Sequence, residues 1–240
     1  MGKFRSSRTN QSVPLTKAAG KPASFTLRTP NVTYQKRWKP VFAMRYSFIL
    51  IMGLLISCGQ QNTGESRVNH WDKEDPSNQL RPELSKTQFD TLKSWDLGWF
   101  LLEPINIAKD VNDEVQLARR FSKGQKALYF FLFLDAEVTN GGFIQFYWNG
   151  RDMYLPPIIE GLKLIGDKEL LDLVDKADKE FEINKKKFED QREKGDWEPL
   201  YDNLNKFDEY DSIYYKIHDK TMTLIEKYAR EHPNEFGVVK

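Results

Sequence analysis

Eight apolar residues in a row, Ala127 to Leu134, run through the stretch "SKGQKALYFFLFLDAEV". An uninterrupted run of this kind has no polar face to turn to water, so whatever it forms must be covered on all sides. Periodicity alone permits a buried strand or a buried helix. Ser122 and Gln125 decide for a helix, because Ser followed three residues later by Gln is the signature of a helix N-terminus. The segment reads as a central helix that continues into Asp135-Ala136-Glu137. Asn140-Gly141-Gly142 ends it, Asn and Gly being the residues that adopt the left-handed conformation at a helix C-terminus. The rest of the fold must supply cover for this helix.

Local signals place that cover. In "LSKTQF", Ser85 and Gln88 repeat the same start signal and Leu84 can staple against Phe89, which predicts one helix through Leu92 and Trp95 toward Leu102, ending before Pro104. Pro156-Pro157 opens another helix and Gly166 stops it. Asp167 caps the next, along which Leu170, Val174, Ala177, Phe181 and Phe188 form an inward seam. Its charged remainder, Lys185 to Lys187 beside Glu182, Glu189 and Asp190, reads as a solvated face. A last helix is predicted over Asp211 to Glu231, burying Ile213, Ile217, Leu224, Ile225 and Tyr228 and stopping before Pro233. No convincing period-two series competes. The fold class is all-α, a single compact helical domain over residues 83–235.

Charge divides the chain into two unlike pieces. Residues 1–57 carry ten Lys and Arg and no acid, whereas residues 58–240 hold 26 basic and 35 acidic residues, a net charge of −9. At the seam, Met44-Arg45 gives a positive start, Tyr46 to Ser57 is a largely apolar segment, and the chain's one cysteine, Cys58, follows. A spanning helix needs roughly 20 apolar residues, so this shorter segment has the layout of a cleavable signal peptide. Leu55-Ile56-Ser57-Cys58 resembles the lipobox of bacterial lipoproteins, which implies a lipidated Cys58 and anchoring to a membrane of the bacterial cell envelope. Residues 44–57 are then the signal peptide and residues 58–82 a polar, flexible tether. Residues 1–43 precede any ordinary signal peptide. They read as an extension upstream of a start at Met44, or alternatively as a disordered basic arm for nucleic acid or anionic lipid.

Chemistry-bearing patterns are sparse. Asp135 and Glu137 lie two apart and diverge by about 200° on a helix, so they do not form a carboxylate pair. His70, His218 and His232 have no metal-ligand spacing, and there is no Gly-x-Ser-x-Gly elbow or phosphate-binding glycine loop. No catalytic residue, metal or cofactor is expected. What stands out is "DAEVTNGGFIQFYWNG", Asp135 to Gly150. Its structural reading is a helix corner with the aromatics covering the next helix. Its functional reading is a shallow recognition pocket lined by Glu137, Asn140, Gln145, Tyr147 and Trp148.

"YFFLFLDAEVTNGGFIQFYWN", the Ile-Gly-Asp break near residue 166 and "FDEYDSIYYKI" at residues 207–217 together resemble the bacterial DNA-mimic protein family, over roughly Ser122 to His218. The signature positions are Asp135, Glu137, Asn140, Gly141, Gly142, Phe143, Gln145 and Phe146. The resemblance implies an all-helical domain that can form a homodimer, with surface carboxylates standing in for phosphates on a DNA-binding protein. Two features pull against that mechanism. Lysines are interleaved with the acids, and an exported lipoprotein does not share a compartment with transcription factors. The expectation is therefore a membrane-tethered, non-catalytic domain that binds an unknown protein partner and not nucleic acid itself. A cytoplasmic DNA mimic and an envelope enzyme are the alternatives.

Overall fold

The computed structural model describes Trp71 and residues 73–240; the leader, the signal segment, the lipobox, Cys58, His70 and the first part of the tether lie outside the described residues. Helices dominate, in the order α1 (Lys86–Thr91), α2 (Ser94–Leu102), α3 (Val111–Ala118), α4 (Lys123–Trp148), α5 (Leu155–Ile165), α6 (Lys168–Lys194), α7 (Glu198–Asn203) and α8 (Lys206–Glu231). Two strands of two residues, β1 (Glu83–Leu84) and β2 (Val238–Val239), pair in parallel and tie the two ends of the domain together. The domain is all-α.

α4 is the centre. The Ser122 hydroxyl accepts from the Gln125 amide at 3.0 Å and the Gln125 side chain accepts from the Ser122 amide at 2.9 Å, so the capping box is complete. Seven of the eight apolar residues behind it are buried and Phe133 is partly buried. α5 and α8 are its principal covers, joined by α2 and α6. Gly161 of α5 lies against the backbone of Ala127, where a Cβ would come within 2.8 Å of the Ala127 Cα. Two small residues thus let α5 and α4 approach closely.

Asn140-Gly141-Gly142 interrupts α4 without ending it. Gly141 (φ −154°, ψ 26°) and Gly142 (φ 73°, ψ −178°) leave helical geometry, and the chain resumes as helix from Phe143 to Trp148. The expected terminus is therefore a break between two helical segments. Tertiary contacts make the difference, because groups from α7 and α8 satisfy the backbone on both sides of it.

The single helix expected over Ser85 to Leu102 is two. Leu92 and Lys93 are extended, and Ser94 takes a positive φ of 46°. Glu226 of α8 accepts the Ser94 amide at 2.6 Å, and Arg230 donates to the Leu92 carbonyl, so α8 replaces the hydrogen bonds that a continuous helix would have made. Pro156 and Pro157 do open α5; Gly166 closes it at φ 76°; and Asp167 caps α6 while its second oxygen accepts from Thr221 of α8 at 2.6 Å. The seam from Leu170 to Phe188 is buried throughout.

α8 begins five residues before the expected Asp211. Ile217 and Ile225 are buried and Leu224 and Tyr228 partly so, but Ile213 is 40% exposed. Tyr214 takes the inward position instead, because its hydroxyl has a partner inside. α3 and α7 have no counterpart in the sequence reading. Ordered packing also extends beyond residues 83–235: Trp71 is 1% exposed with its indole N–H donated to the Met153 carbonyl at 2.8 Å, and Phe236 is buried beyond the other limit.

Gly142 and Gly150 share a positive φ, 73° and 68°, but differ in surroundings. A Cβ on Gly142 would collide with the Asp211 carboxylate, whereas nothing lies within 4 Å of one on Gly150. Gly150→Ala is expected to cost about 1 kcal/mol, the price of the left-handed conformation alone. Gly142→Ala should cost about 2–4 kcal/mol, since strain and a displaced carboxylate add. Urea unfolding of both variants checks the ordering, and equal losses would refute the crowding at the break.

Candidate functional site

Asp135 and Glu137 leave α4 in opposite directions and enter separate polar networks. Asp135 points at α8, where it accepts from Tyr214 at 3.0 Å and meets His218 Nδ1 at 2.8 Å. Burial is the largest influence on Asp135 and raises its pKa against the pull of His218 and Tyr214. Burial is the largest influence on His218 and works against its charged form, but the hydrogen bond to Asp135 and the charges of Asp135 and Asp219 together outweigh it and lift the imidazole above its ordinary value. The ring lies between Tyr214 and Trp95, at centroid distances of 5.4 and 5.6 Å, and is 8% exposed. The pair is a tie between α4 and α8 sealed from solvent.

Glu137 is saturated. One oxygen accepts from Gln145 and Asn149, each at 2.8 Å, and the other from Arg151 Nε at 3.1 Å. Arg151 passes on to the Tyr154 hydroxyl, which donates to Glu114, and Tyr129 donates to the other Glu114 oxygen at 2.8 Å. Burial pushes Glu114 above the usual carboxylate range despite Tyr154, Tyr129 and Arg151. This chain links α3, α4 and the turn before α5. An unpaired carboxylate at such a depth would be costly, and each of these has partners.

The break itself is held from outside. Asp211 accepts from the Phe143 amide at 2.8 Å, capping the second segment. Tyr201 donates to the Gly141 carbonyl at 2.7 Å, and Tyr215 to the Thr139 carbonyl at 3.1 Å, capping the first. Asn140 is exposed and donates to Gln145 at 2.8 Å. Phe143 and Phe146 are buried, and Tyr147 is stacked on Phe181 at 4.2 Å with an interplanar angle of 5°. Trp148 remains partly exposed, 6.4 Å from Trp197. Of the residues assigned to a shallow pocket, Glu137 and Tyr147 are thus interior, while Asn140, Gln145 and Trp148 reach the surface to differing degrees. Cys58 and Leu55-Ile56-Ser57 lie outside the described residues. Among those described, no group of three or more His, Cys, Asp or Glu is arranged to hold a metal.

Beside the break, the surface is acidic. On α6, Lys176, Lys179, Lys185 and Lys186 are matched by carboxylates three or four residues away, as in Asp172–Lys176 at 2.6 Å and Lys186–Asp190 at 2.7 Å. The pattern stops where α6 ends. Residues 189–211 hold nine acids and three bases. Lys206 pairs with Glu180 at 2.9 Å, and Arg192 donates to the carbonyls of Tyr147 and Trp148. Glu193, Asp196, Glu198, Asp202, Asp208 and Glu209 are exposed around this α6–α7–α8 corner. The interleaving of lysines with acids along the sequence conceals it, because most of the lysines of α6 lie before the corner.

Burial, reinforced by Asp208 and opposed by the Phe143 amide, raises the Asp211 pKa to about 7. Because the folded value exceeds the unfolded one of about 3.9, the stability Asp211 contributes is complete below pH 4 and is lost as pH rises through 7. Asp211→Asn keeps an acceptor for Phe143 and removes the titration. The loss of stability between pH 5.5 and 8 should shrink by on the order of 1–3 kcal/mol relative to wild type. Thermal unfolding across that range checks it, and an unchanged pH profile would exclude Asp211 as the titrating group.

Residues 119–232 match the family described as DMP19-like protein. The chain is also 27% identical over 119 residues to the DNA mimic protein DMP19 of Neisseria meningitidis serogroup B, an alignment covering 48% of this chain and 72% of that protein. The match begins just before the Ser122 cap and ends just after α8, so it spans the central helix, its break and the acidic corner. Over its helical core, residues 119–232, the chain is thus similar to the DMP19-like proteins.

Proposed function

We propose that the domain acts by binding, through docking of its acidic α6–α7–α8 corner onto a basic protein surface of the kind that otherwise receives nucleic-acid phosphates. The six exposed carboxylates Glu193, Asp196, Glu198, Asp202, Asp208 and Glu209 carry this reading. DNA-binding proteins neutralise phosphates with Lys and Arg, so a rigid array of carboxylates competes for the same side chains. The corner is built on helix ends fixed by Phe188 and Phe207, whose rings lie 6.1 Å apart. The relative from Neisseria meningitidis is named as a DNA mimic, and the corner supplies the charge such an activity requires. The buried Asp135–His218 and Glu137–Arg151 ties have structural work to do, which favours binding over chemistry.

A second reading concerns where binding takes place. Leu55-Ile56-Ser57-Cys58 after an apolar segment supports lipidation at Cys58 and a tether to a membrane of the envelope. In that case the basic partner is an envelope protein, and a cytoplasmic DNA-binding protein is out of reach.

Each reading has its own experiment. Proteins captured by the chain at low salt should be released by added duplex DNA and lost from the variant Glu193→Lys/Asp202→Lys/Glu209→Lys, with the melting temperature kept within a few degrees. Capture indifferent to DNA and to the three reversals would overturn docking through the corner. For the tether, intact mass and fractionation of natively expressed protein should yield a membrane-bound product beginning at acylated Cys58, abolished by Cys58→Ala. A soluble, unprocessed product unaffected by that change would remove the tether and return the partner to the cytoplasm.

A further inference from the structure

The acidic corner carries an aromatic strip that electrostatics alone does not call for. Trp148 ends α4, Trp197 immediately precedes α7, and Tyr201 follows one turn later. Trp148 and Trp197 lie 6.4 Å apart, tilted by 39°, and Trp197 meets Tyr201 edge-on at 5.8 Å. Tyr215, 42% exposed, continues the strip on α8. The first three rings are partly exposed, so aromatic surface is offered to solvent at the point where carboxylates are densest.

Two of these rings are fixed in place. Tyr201 and Tyr215 are anchored by their hydroxyls to the Gly141 and Thr139 carbonyls, the C-terminal end of the first segment of α4. That end carries the negative pole of the segment's dipole. Asp196 and Glu198 flank Trp197 in sequence, and Asp202 follows Tyr201. Burial raises the Tyr201 pKa, and Asp211, Asp208 and Glu137 raise it further, so the strip lies in a negative field. Ring faces attract cations through their quadrupole, and here they are backed by carboxylates and carbonyl oxygens.

We infer that this strip is the specificity element of the corner, and that it selects partner surfaces presenting arginine over those presenting lysine. A guanidinium is planar, stacks on indole and phenol faces, and offers donors in a fork to carboxylates and carbonyls at its edge. An ammonium is compact and strongly hydrated, and meets the carboxylates without using the rings. Arg192 illustrates the forked donation alone: it donates from its Nε to the Trp148 carbonyl at 3.2 Å and from a second guanidinium nitrogen to the Tyr147 carbonyl. The inference rests on the binding reading and adds to it the chemistry of the partner side chain. Because Tyr201 and Tyr215 are held before binding, these two rings lose little conformational freedom on docking.

The test uses the full-length chain with two probes of equal length and charge, an eight-residue oligoarginine and an eight-residue oligolysine, titrated at low salt. Oligoarginine is expected to bind about three- to tenfold more tightly, with Trp197→Leu removing most of that preference and leaving oligolysine binding unchanged. Indole N–H signals of the wild-type protein should shift with oligoarginine and stay in place with oligolysine, a readout that does not depend on the variant folding. Equal affinities with unmoved indole signals would overturn the arginine inference and leave the acidic corner intact. Failure of both probes to bind would overturn the corner as a binding surface and this inference with it.

Discussion

An apolar segment with no wet face cannot be stable until it is enclosed, and the fold of this protein is organised by that requirement in α4. Each buried apolar side chain contributes roughly 1.5–3 kcal/mol when water is excluded, so α2, α5, α6 and α8 are positioned first by what they cover. The close approach of Gly161 to Ala127 and the stacking of Tyr147 on Phe181 are local solutions to that demand. The buried carboxylates Asp135, Glu137 and Glu114 enter this interior with hydrogen-bond partners. Asp135 binds α4 to α8 through Tyr214 and His218, and Glu137 binds it to the turn before α5 through Arg151.

The break at Gly141-Gly142 connects this architecture to the surface. A continuous helix would have satisfied its own backbone. A broken one exposes carbonyls at the end of its first segment and an amide at the start of its second. Tyr201, Tyr215 and Asp211 arrive from α7 and α8 to satisfy them, which draws the acidic N-terminus of α8 and the short α7 against the same point. Within the signature "DAEVTNGG", Asp135 and Glu137 are interior ties and Gly141-Gly142 form the break, while Asn140 stays exposed.

Much of the fold was legible because its signals are local. Ser122 with Gln125, Pro156-Pro157, Gly166 and Asp167 each act within a few residues of themselves, and all are used as their chemistry suggests. The inward seam of α6 was readable from spacing alone. The failures share one cause. The α1–α2 break depends on Glu226, 132 residues from Ser94. The exposure of Ile213 follows from Tyr214 turning inward to Asp135, 79 residues away. α7 is six residues long and had too little periodicity to declare itself.

The sequence by itself determined that the domain is helical, where its central helix starts, that this helix is buried on every side, and that charge is segregated along the chain. It also exposed the resemblance carried by Asp135 to Phe146. Only the tertiary structure decided that Asn140-Gly141-Gly142 interrupts a helix and does not end it, which carboxylates are interior ties and which are surface charge, and that the lysines of α6 leave the α6–α7–α8 corner acidic. The physical reason is range. Caps, turns and hydrophobic periods are properties of neighbouring residues, whereas hydrogen-bond partners such as Asp211 and Phe143, 68 residues apart, are chosen by packing.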